Sequence, residues 1–337
     1  MAYITEKKEK KEKNIINCLE SLNEIDYPKN LYKIIIINDN SIDKTVEISK
    51  NFFKQNNIKN YKIINRTRQD GFVAGVLNDG IKSCNLDNKS FFGIIDSDCI
   101  VSTNILKKIN SNIIEYNLDA IQTQEWHITS DNYINSSQHI LCSYENYNNF
   151  DEKAFKVGHF FSNNIAKKIK YNEKSILEDR LFSDECKKNN FKIKVIKDVL
   201  LYRKFSSNFM KVYSQQYRYQ LGSITNDIKN KKIIDTLNIT LVLIFSFLIN
   251  INLFYKILIY LLLEVFCKIF IYYKDYHRSA LINSPYKLIN IINKQKNILT
   301  INNIFSTTLF MFFVLILRII PFYRILFNIE TIRWNRF

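Results

Sequence analysis

Glycine and proline are scarce in this 337-residue chain, at six and three residues. Beside abundant Lys, Asn and Ile, that scarcity reads as a compositional bias of the source genome rather than a fold signature. The six cysteines, Cys18, Cys84, Cys99, Cys142, Cys186 and Cys267, form no C-x-x-C pair. Their scatter argues against zinc binding and fits a reduced, cytosolic setting. A secretory signal peptide is also missing, since the N-terminus is charged rather than apolar. No dense basic block occurs except Lys7 to Lys13, which is interleaved with Glu. The net charge of +16 is therefore not read as a nucleic-acid footprint, and no nucleic-acid partner is expected. Dispersed positive charge suits a protein resting on an anionic membrane surface.

The hydrophobic fraction of 47% is ordinary, and the average conceals an uneven distribution. Before roughly Lys232, short apolar runs alternate with polar turns. Leu31 to Ile37 reads as a buried parallel strand, closed by the turn residues Asn38-Asp39-Asn40-Ser41. A helix is expected from about Lys44 to Gln55, capped by Ser41 or Asp43. Further strands are expected at Tyr61 to Ile64, at Phe91 to Ile95 ending on Asp96, and at Ala120 to Thr123. Helices are expected at Val73 to Lys82, Arg180 to Asn189 and Phe209 to Ile228. Strands alternating with helices predict an α/β domain with a mostly parallel sheet. Ligands of such sheets bind beyond the carboxyl ends of the strands, where Asp39 and Asp96 fall.

After Lys232 the pattern changes. Ile233 to Ile251 and Leu253 to Tyr273 are apolar stretches, each close to the ~20 residues that cross a bilayer core. A third runs from Ile304 to Ile320. Lys229, Lys231 and Lys232 precede the first run, and Lys274 and Arg278 follow the second, so a hairpin with both ends cytosolic is predicted. The polar segment Ser284 to Asn297 is expected along the membrane surface. The third stretch is a transmembrane or re-entrant segment. The domain reading is residues 1–230 as a cytosolic catalytic domain and 231–337 as a membrane region, giving an integral protein of the cell membrane.

Three elements carry candidate chemistry. Asp96-Ser97-Asp98 follows a buried strand, and alternating carboxylates there can direct oxygens at one hard cation. Such a cation neutralises a diphosphate leaving group. Glu178-Asp179 offers a carboxylate able to take a proton from an attacking hydroxyl, or simply acids that favour a helix start. Gln215 and Arg218 share a helix face. There Arg218 offers a forked donor to phosphate oxygens and Tyr219 a flat face to a sugar, unless the helix is only an amphipathic surface one.

Taken in order, these elements resemble the family 2 inverting glycosyltransferases, in particular the membrane-integrated branch of cellulose, chitin and hyaluronan synthases and ceramide glucosyltransferase-like enzymes. Asn14 to Pro28 resembles the first helix of that domain, and Ile37 to Asp43 its nucleotide-contacting loop. Gly71 to Asn78 is similar to a G-F-K-A-G-A-L-N element, Gln122 to His127 to Q-T-R-x-W-H, Glu178-Asp179 to T-E-D, and Gln215 to Tyr219 to Q-x-x-R-W. The resemblance implies a GT-A, Rossmann-like α/β fold followed by C-terminal transmembrane helices. It implies Asp179 as general base and Asp39, Asp96, Gln215, Arg218 and Tyr219 as donor-binding. Glu178, Trp126 and His127 fall on the acceptor side. Asp96 and Asp98 would hold Mg²⁺ or Mn²⁺. The implied partners are a nucleotide-diphospho-sugar, a lipid or glycan acceptor and membrane lipids.

The chain departs from the family pattern in places. The opening strand is missing or truncated, Val73 replaces a Lys, Leu177 a Thr, Gln124 an Arg and Tyr219 a Trp. A polyprenyl-phosphate sugar synthase-like transferase and a non-catalytic nucleotide-sugar-binding paralogue fit the same motifs.

Overall fold

The protein is described by a computed structural model covering residues 2–4, 11–41, 43–68, 70–129, 132–148, 155–204, 206, 208–229 and 273–300, with 302, 303, 306, 307, 309, 310, 313 and 314. Its chain divides into two compact units. One comprises Met1–Ile128, Glu145–Lys204 and Lys274–Lys296; the other comprises Thr129–Tyr144, Phe205–Tyr273 and Asn297–Phe337. Residues 274–296, read above with the membrane region, thus count with the sheets.

The first unit is built on two sheets. Ile34–Asn38 (β2) is buried at every position, as a strand covered on both faces must be. It pairs in parallel with Tyr61–Asn65 (β3) and with Ala2–Ile4 (β1), which in turn pairs in parallel with Ile95–Asp96 (β5). The sheet order is β3-β2-β1-β5. The opening strand is thus a three-residue stub in an interior position. Helices Lys11–Asn23 (α1), Thr45–Gln55 (α2) and Phe72–Lys82 (α3) cover this layer. Ile15, Cys18, Leu19 and Leu22 of α1 follow helical spacing and join Ile34, Ile36 and Phe53 in one core cluster.

The second sheet has the order β4-β8-β7-β9-β6. It contains Phe91–Gly93 (β4), Cys99–Val101 (β6), Ala120–Ile128 (β7), His159–Ser162 (β8) and Ile193–Lys204 (β9). The run expected as one strand ending at Asp96 is therefore split: β4 pairs with β8 in this sheet, β5 with β1 in the other. The crossing point is Ile94, whose N–H donates to the His159 carbonyl at 3.0 Å and whose carbonyl accepts from Gly158 N–H at 2.9 Å. Gly93 permits the approach, because a Cβ there would strike the Phe160 ring. β7 is longer than expected and buried throughout. Its polar run Gln122 to Glu125 disguised it as a strand end.

Helices Ile105–Tyr116 (α4), Tyr133–Asn148 (α5), Asn163–Lys168 (α6) and Glu178–Lys188 (α7) follow, then Phe209–Lys229 (α8) in the second unit. Residues 273–283 are helical (α9), and Ile289–Lys294 forms α10. Among the described residues no helix is long and apolar enough to cross a membrane. Of the stretches expected to do so, Ile233 to Ile251 and Leu253 to Tyr273 lie outside the described residues, apart from Tyr273, as does most of Ile304 to Ile320.

A buried aromatic box closes the layer beneath β8. His159 stacks on Phe155 at 4.9 Å, near Phe161 and Phe182, and Tyr171 stacks on Phe182 at 4.1 Å. His159 Nδ1 donates to the Lys156 carbonyl at 2.6 Å, which leaves Nε2 to accept from the Tyr171 hydroxyl at 2.5 Å. Burial lowers the His159 pKa from 6.5 to about 4. Below pH 6.5 the unfolded chain takes up this proton and the folded chain does not, so the stabilisation is complete above pH 6.5 and is lost as pH falls toward 4. The ceiling of this effect is ~3 kcal/mol. Denaturant unfolding between pH 7 and 4 is expected to show a shallower loss of stability for His159→Gln than for wild type.

Candidate active site

Asp96 ends β5 in the parallel sheet, and β6 begins at Cys99 in the mixed sheet. Asp96-Ser97-Asp98 is therefore the turn that joins the two sheets. Asp39 follows β2 at the same carboxyl edge. Since β1 lies between β2 and β5, the two aspartates stand two strand spacings apart, about 10 Å.

The Asp39 loop is built by local chemistry. Asn38 Oδ1 accepts from Ser41 N–H at 3.0 Å, and Asn40 takes the left-handed φ of 55° that Asn tolerates. Asp39 itself meets a buried guanidinium: Arg66 Nη1 is 2.5 Å from its Oδ1. Arg66 also pairs with Asp79 through Nε at 2.8 Å and donates to the Asp70 carbonyl at 2.8 Å. Arg68 adds contacts to Asp79 at 2.8 Å and to Glu173 at 2.9 Å. Its hydrogen bonds to Glu173 and Asp79 hold its own proton more firmly than usual. Two arginines thus stand at the start of α3, where Val73 leaves out the expected Lys. The charge reading missed them, although R-T-R at Arg66 to Arg68 directly precedes the Gly71 motif.

At the D-x-D turn, Asp98 has no ion-pair partner among the described residues, whereas Asp96 does. Arg203 Nη1 on β9 lies 3.5 Å from Asp96 Oδ2. The same guanidinium holds Glu125 of β7, with Nε 3.2 Å from Oε2 and Nη2 3.4 Å from Oε1. Glu125 and His127 are two apart on β7, so they share a face, and His127 Nε2 lies 3.3 Å from Glu125 Oε1. Burial, then Asp98, push the Asp96 carboxyl well above its ordinary range; Glu125 and Asp179 add to this, while Arg203 opposes it. Burial alone would raise Glu125 too, but Arg203 and His127 hold it well below the usual carboxylate range. Burial lowers the His127 pKa against the pull of Glu125.

Glu178 and Asp179 open α7 rather than precede it, the helix starting two residues earlier than expected. Acids at a helix start meet its positive end. Asp179 Oδ1 accepts from Arg180 N–H at 2.7 Å. Burial nonetheless raises its carboxyl, with Lys156 among the groups opposing the rise. Asp179 is close enough to contribute to the field at Asp96. The first unit therefore gathers Asp96, Asp98 and Asp179 in one electrostatic neighbourhood, with Glu125, Arg203 and Lys156.

Trp126 and His127, expected on the acceptor side, are 0% and 1% exposed. Trp126 packs under the C-terminal piece of the unit, 4.8 Å from the Tyr276 ring and 5.6 Å from His277. Its Nε1–H donates to Gln295 Oε1 at 3.0 Å, and Gln295 Nε2 donates to the His127 carbonyl at 3.1 Å. Tyr276 donates to the Glu125 carbonyl. The segment Ser284 to Asn297, expected along a membrane, has Leu288, Ile292 and Gln295 buried in this way. Gln215, Arg218 and Tyr219 lie on α8 of the second unit. There Gln215 Nε2 donates to the Tyr219 hydroxyl at 3.1 Å, and the Arg218 guanidinium stands 5.5 Å from the Tyr219 ring.

Among the described residues no group of three or more His, Cys, Asp and Glu side chains can hold a metal ion by itself. Asp96 and Asp98 still offer the hard oxygens that Mg²⁺ or Mn²⁺ takes. Burial first, and then the neighbouring Asp98, push the Asp96 carboxyl upward.

An α/β domain carrying a D-x-D turn at the carboxyl edge of its parallel sheet is the framework of a GT-A-type glycosyltransferase. The family models agree: glycosyl transferase family 2 matches residues 4–176, and glycosyl transferase family group 2 matches residues 91–329. The chain belongs to glycosyltransferase family 2. A curated relative is the dolichyl N-acetyl-α-D-glucosaminyl phosphate 3-β-D-2,3-diacetamido-2,3-dideoxy-β-D-glucuronosyltransferase of Methanococcus voltae, 39% identical over 82 residues. That match spans 24% of this chain and 25% of the relative. The mannosyltransferase PcManGT of Pyrobaculum calidifontis, solved with GDP-Man and Mn²⁺, is similar in fold with a TM-score of 0.57 at 11% identity, covering 98% of this chain and 87% of that one. S. aureus TarS 1–349, solved with UDP-GlcNAc, gives a TM-score of 0.48 at 16% identity over 91% and 88%.

Gln295→Leu would remove the hydrogen bonds that Gln295 makes to the Trp126 indole N–H and to the His127 carbonyl. The expected loss is ~1–3 kcal/mol, read as a lower midpoint in thermal or denaturant unfolding. A midpoint equal to wild type would show that this contact contributes nothing.

Proposed function

We propose that the chain performs metal-dependent, inverting transfer of a sugar from a nucleotide-diphospho-sugar, a UDP-sugar in the first instance, to a lipid-linked or polysaccharide acceptor at a membrane. The observation that carries this reading is Asp179: a half-buried carboxylate with a raised pKa, standing in the same field as the D-x-D turn. A carboxylate so placed can take the proton of an acceptor hydroxyl as that oxygen attacks the anomeric carbon. A single in-line displacement inverts that carbon, so an α-linked donor gives a β-linked product. Asp96 and Asp98 would hold a divalent ion, which when bound would neutralise charge on the departing nucleoside diphosphate. Asp39 and Arg66 line the same carboxyl edge as binding groups for the nucleotide. Gln215, Arg218 and Tyr219, at the positions of the family's Q-x-x-R-W element, are the further donor-binding candidates.

Support for a lipid-linked acceptor comes from the Methanococcus voltae relative, whose name carries a dolichyl phosphate sugar. The apolar stretches beyond Lys232 support an integral protein of the cell membrane with its catalytic unit in the cytosol. Membranes incubated with radiolabelled UDP-sugars test the acceptor: label extractable into organic solvent means a lipid product, whereas insoluble label means a polymer.

Asp179→Asn is expected to abolish transfer while donor binding, measured by calorimetry, stays within a few-fold of wild type. Turnover by this variant at the wild-type rate would remove Asp179 as the base. EDTA is expected to abolish transfer and added Mg²⁺ or Mn²⁺ to restore it. Undiminished activity in EDTA would sink the metal role of Asp96 and Asp98.

A further inference from the structure

We propose that Arg203 is a positioning residue of the donor site, whose guanidinium, braced by Glu125, fixes the Asp96 carboxylate at the seam between the two sheets. The proposal rests on the reading of Asp96 as a donor-site residue.

Backbone pairing carries the first part of the case. Arg203 lies on β9 with a strand on either side, opposite Cys99 of β6 and opposite His127 of β7. Its Cα is thus pinned across both ladders, one residue pair from the D-x-D turn. Residues 274–296 hold the same two strands from outside. The Tyr202 hydroxyl donates to the Ala280 carbonyl at 2.8 Å, Ser279 Oγ accepts from Val199 N–H at 3.0 Å, and Tyr276 donates to the Glu125 carbonyl.

The side chain supplies the second part. A guanidinium offers five N–H donors in a rigid fork, so it can serve two carboxylates at once. Here Nη2 donates to Glu125 Oε1 at 3.4 Å and Nη1 to Asp96 Oδ2 at 3.5 Å, while Nε stands 3.2 Å from Glu125 Oε2 as an ion-pair contact. The Arg203 and Glu125 side chains are 17% and 9% exposed. A buried ion pair of this kind is a poor source of stability, because desolvation offsets the attraction. What the third contact adds is orientation of a carboxylate that lies at the ligand edge. The two D-x-D carboxylates thereby become unequal: Asp96 is tethered to the protein's own cation, and Asp98 is left to an external one.

The test uses the full chain and four variants: Arg203→Lys, Arg203→Met combined with Glu125→Gln so that no lone charge is buried, Asp96→Asn, and all three of Arg203→Met, Glu125→Gln and Asp96→Asn together. Calorimetry with Mn²⁺ and UDP or GDP, whichever wild type binds more tightly, gives affinity, and thermal unfolding checks each fold. The Arg203→Met, Glu125→Gln protein is expected to keep its unfolding midpoint and bind nucleotide about 10- to 100-fold more weakly, as loss of an outer partner of a metal ligand does. Arg203→Lys keeps the charge without the fork and is expected to recover only part of that affinity. In the Asp96→Asn background the Arg203→Met, Glu125→Gln pair should have no further effect. Wild-type affinity in the Arg203→Met, Glu125→Gln protein, full recovery by Arg203→Lys, or an undiminished effect in the Asp96→Asn background each overturns the proposal. Wild-type affinity in Asp96→Asn alone would instead overturn the donor-site reading, and the proposal with it.

Discussion

Carboxylates repel one another, and the repulsion grows as water is removed from between them. This protein nonetheless gathers Asp96, Asp98, Glu125 and Asp179 around the seam between its two sheets. Burial and mutual repulsion force Asp96 upward, while Arg203 pulls the other way. Glu125 stays ionised because Arg203 and His127 lie against it. Such crowding is tolerable only where cations, resident or brought by a ligand, neutralise it. Arg203 and Lys156 are the resident ones. The rest of the unit holds this arrangement in place.

Two features of the framework do that holding. The parallel sheet aligns the ends of β2, β3 and β5, so that Asp39, Arg66 and Asp96 share one edge. The mixed sheet resumes after the D-x-D turn with β6, which pairs with β9 and so with Arg203. Residues 274–296 then close over β7 and β9, with Gln295 bonded to the Trp126 indole and to the His127 carbonyl of the same strand. Trp126 is thus explained by packing: a large ring with one polar atom, buried because a distant glutamine satisfies that atom.

Much of this was legible in the chain. β2, β3, α2 and α3 lie within a few residues of where apolar runs and turn residues put them, because those signals are local. The motifs at Asp39, Gly71, Asp96, Glu178 and Gln215 pointed to the glycosyltransferase family, and the family models agree. Val73 marked a missing cation. The cations that stand nearby, Arg66 and Arg68, were in plain view but had no local signature, since their value lies in partners 11 to 105 residues away. The division of the apolar run at Ile94 was illegible as well. Both halves are equally apolar, and only the partner strands decide which sheet each joins.

The sequence by itself determined the family, the alternation of strands and helices, and the residue types that can bind a cation and move a proton. These follow from short-range patterning and from side-chain chemistry, which travel with the residues. Only the tertiary structure decided that Trp126 and His127 are buried supports, that Asp96 and Asp98 are unequal, and that residues 274–296 belong to the sheet unit. Each of these depends on which distant strand or helix supplies the neighbouring atoms. Burial, ion pairing and displaced pKa values are properties of those neighbours and not of the residue alone.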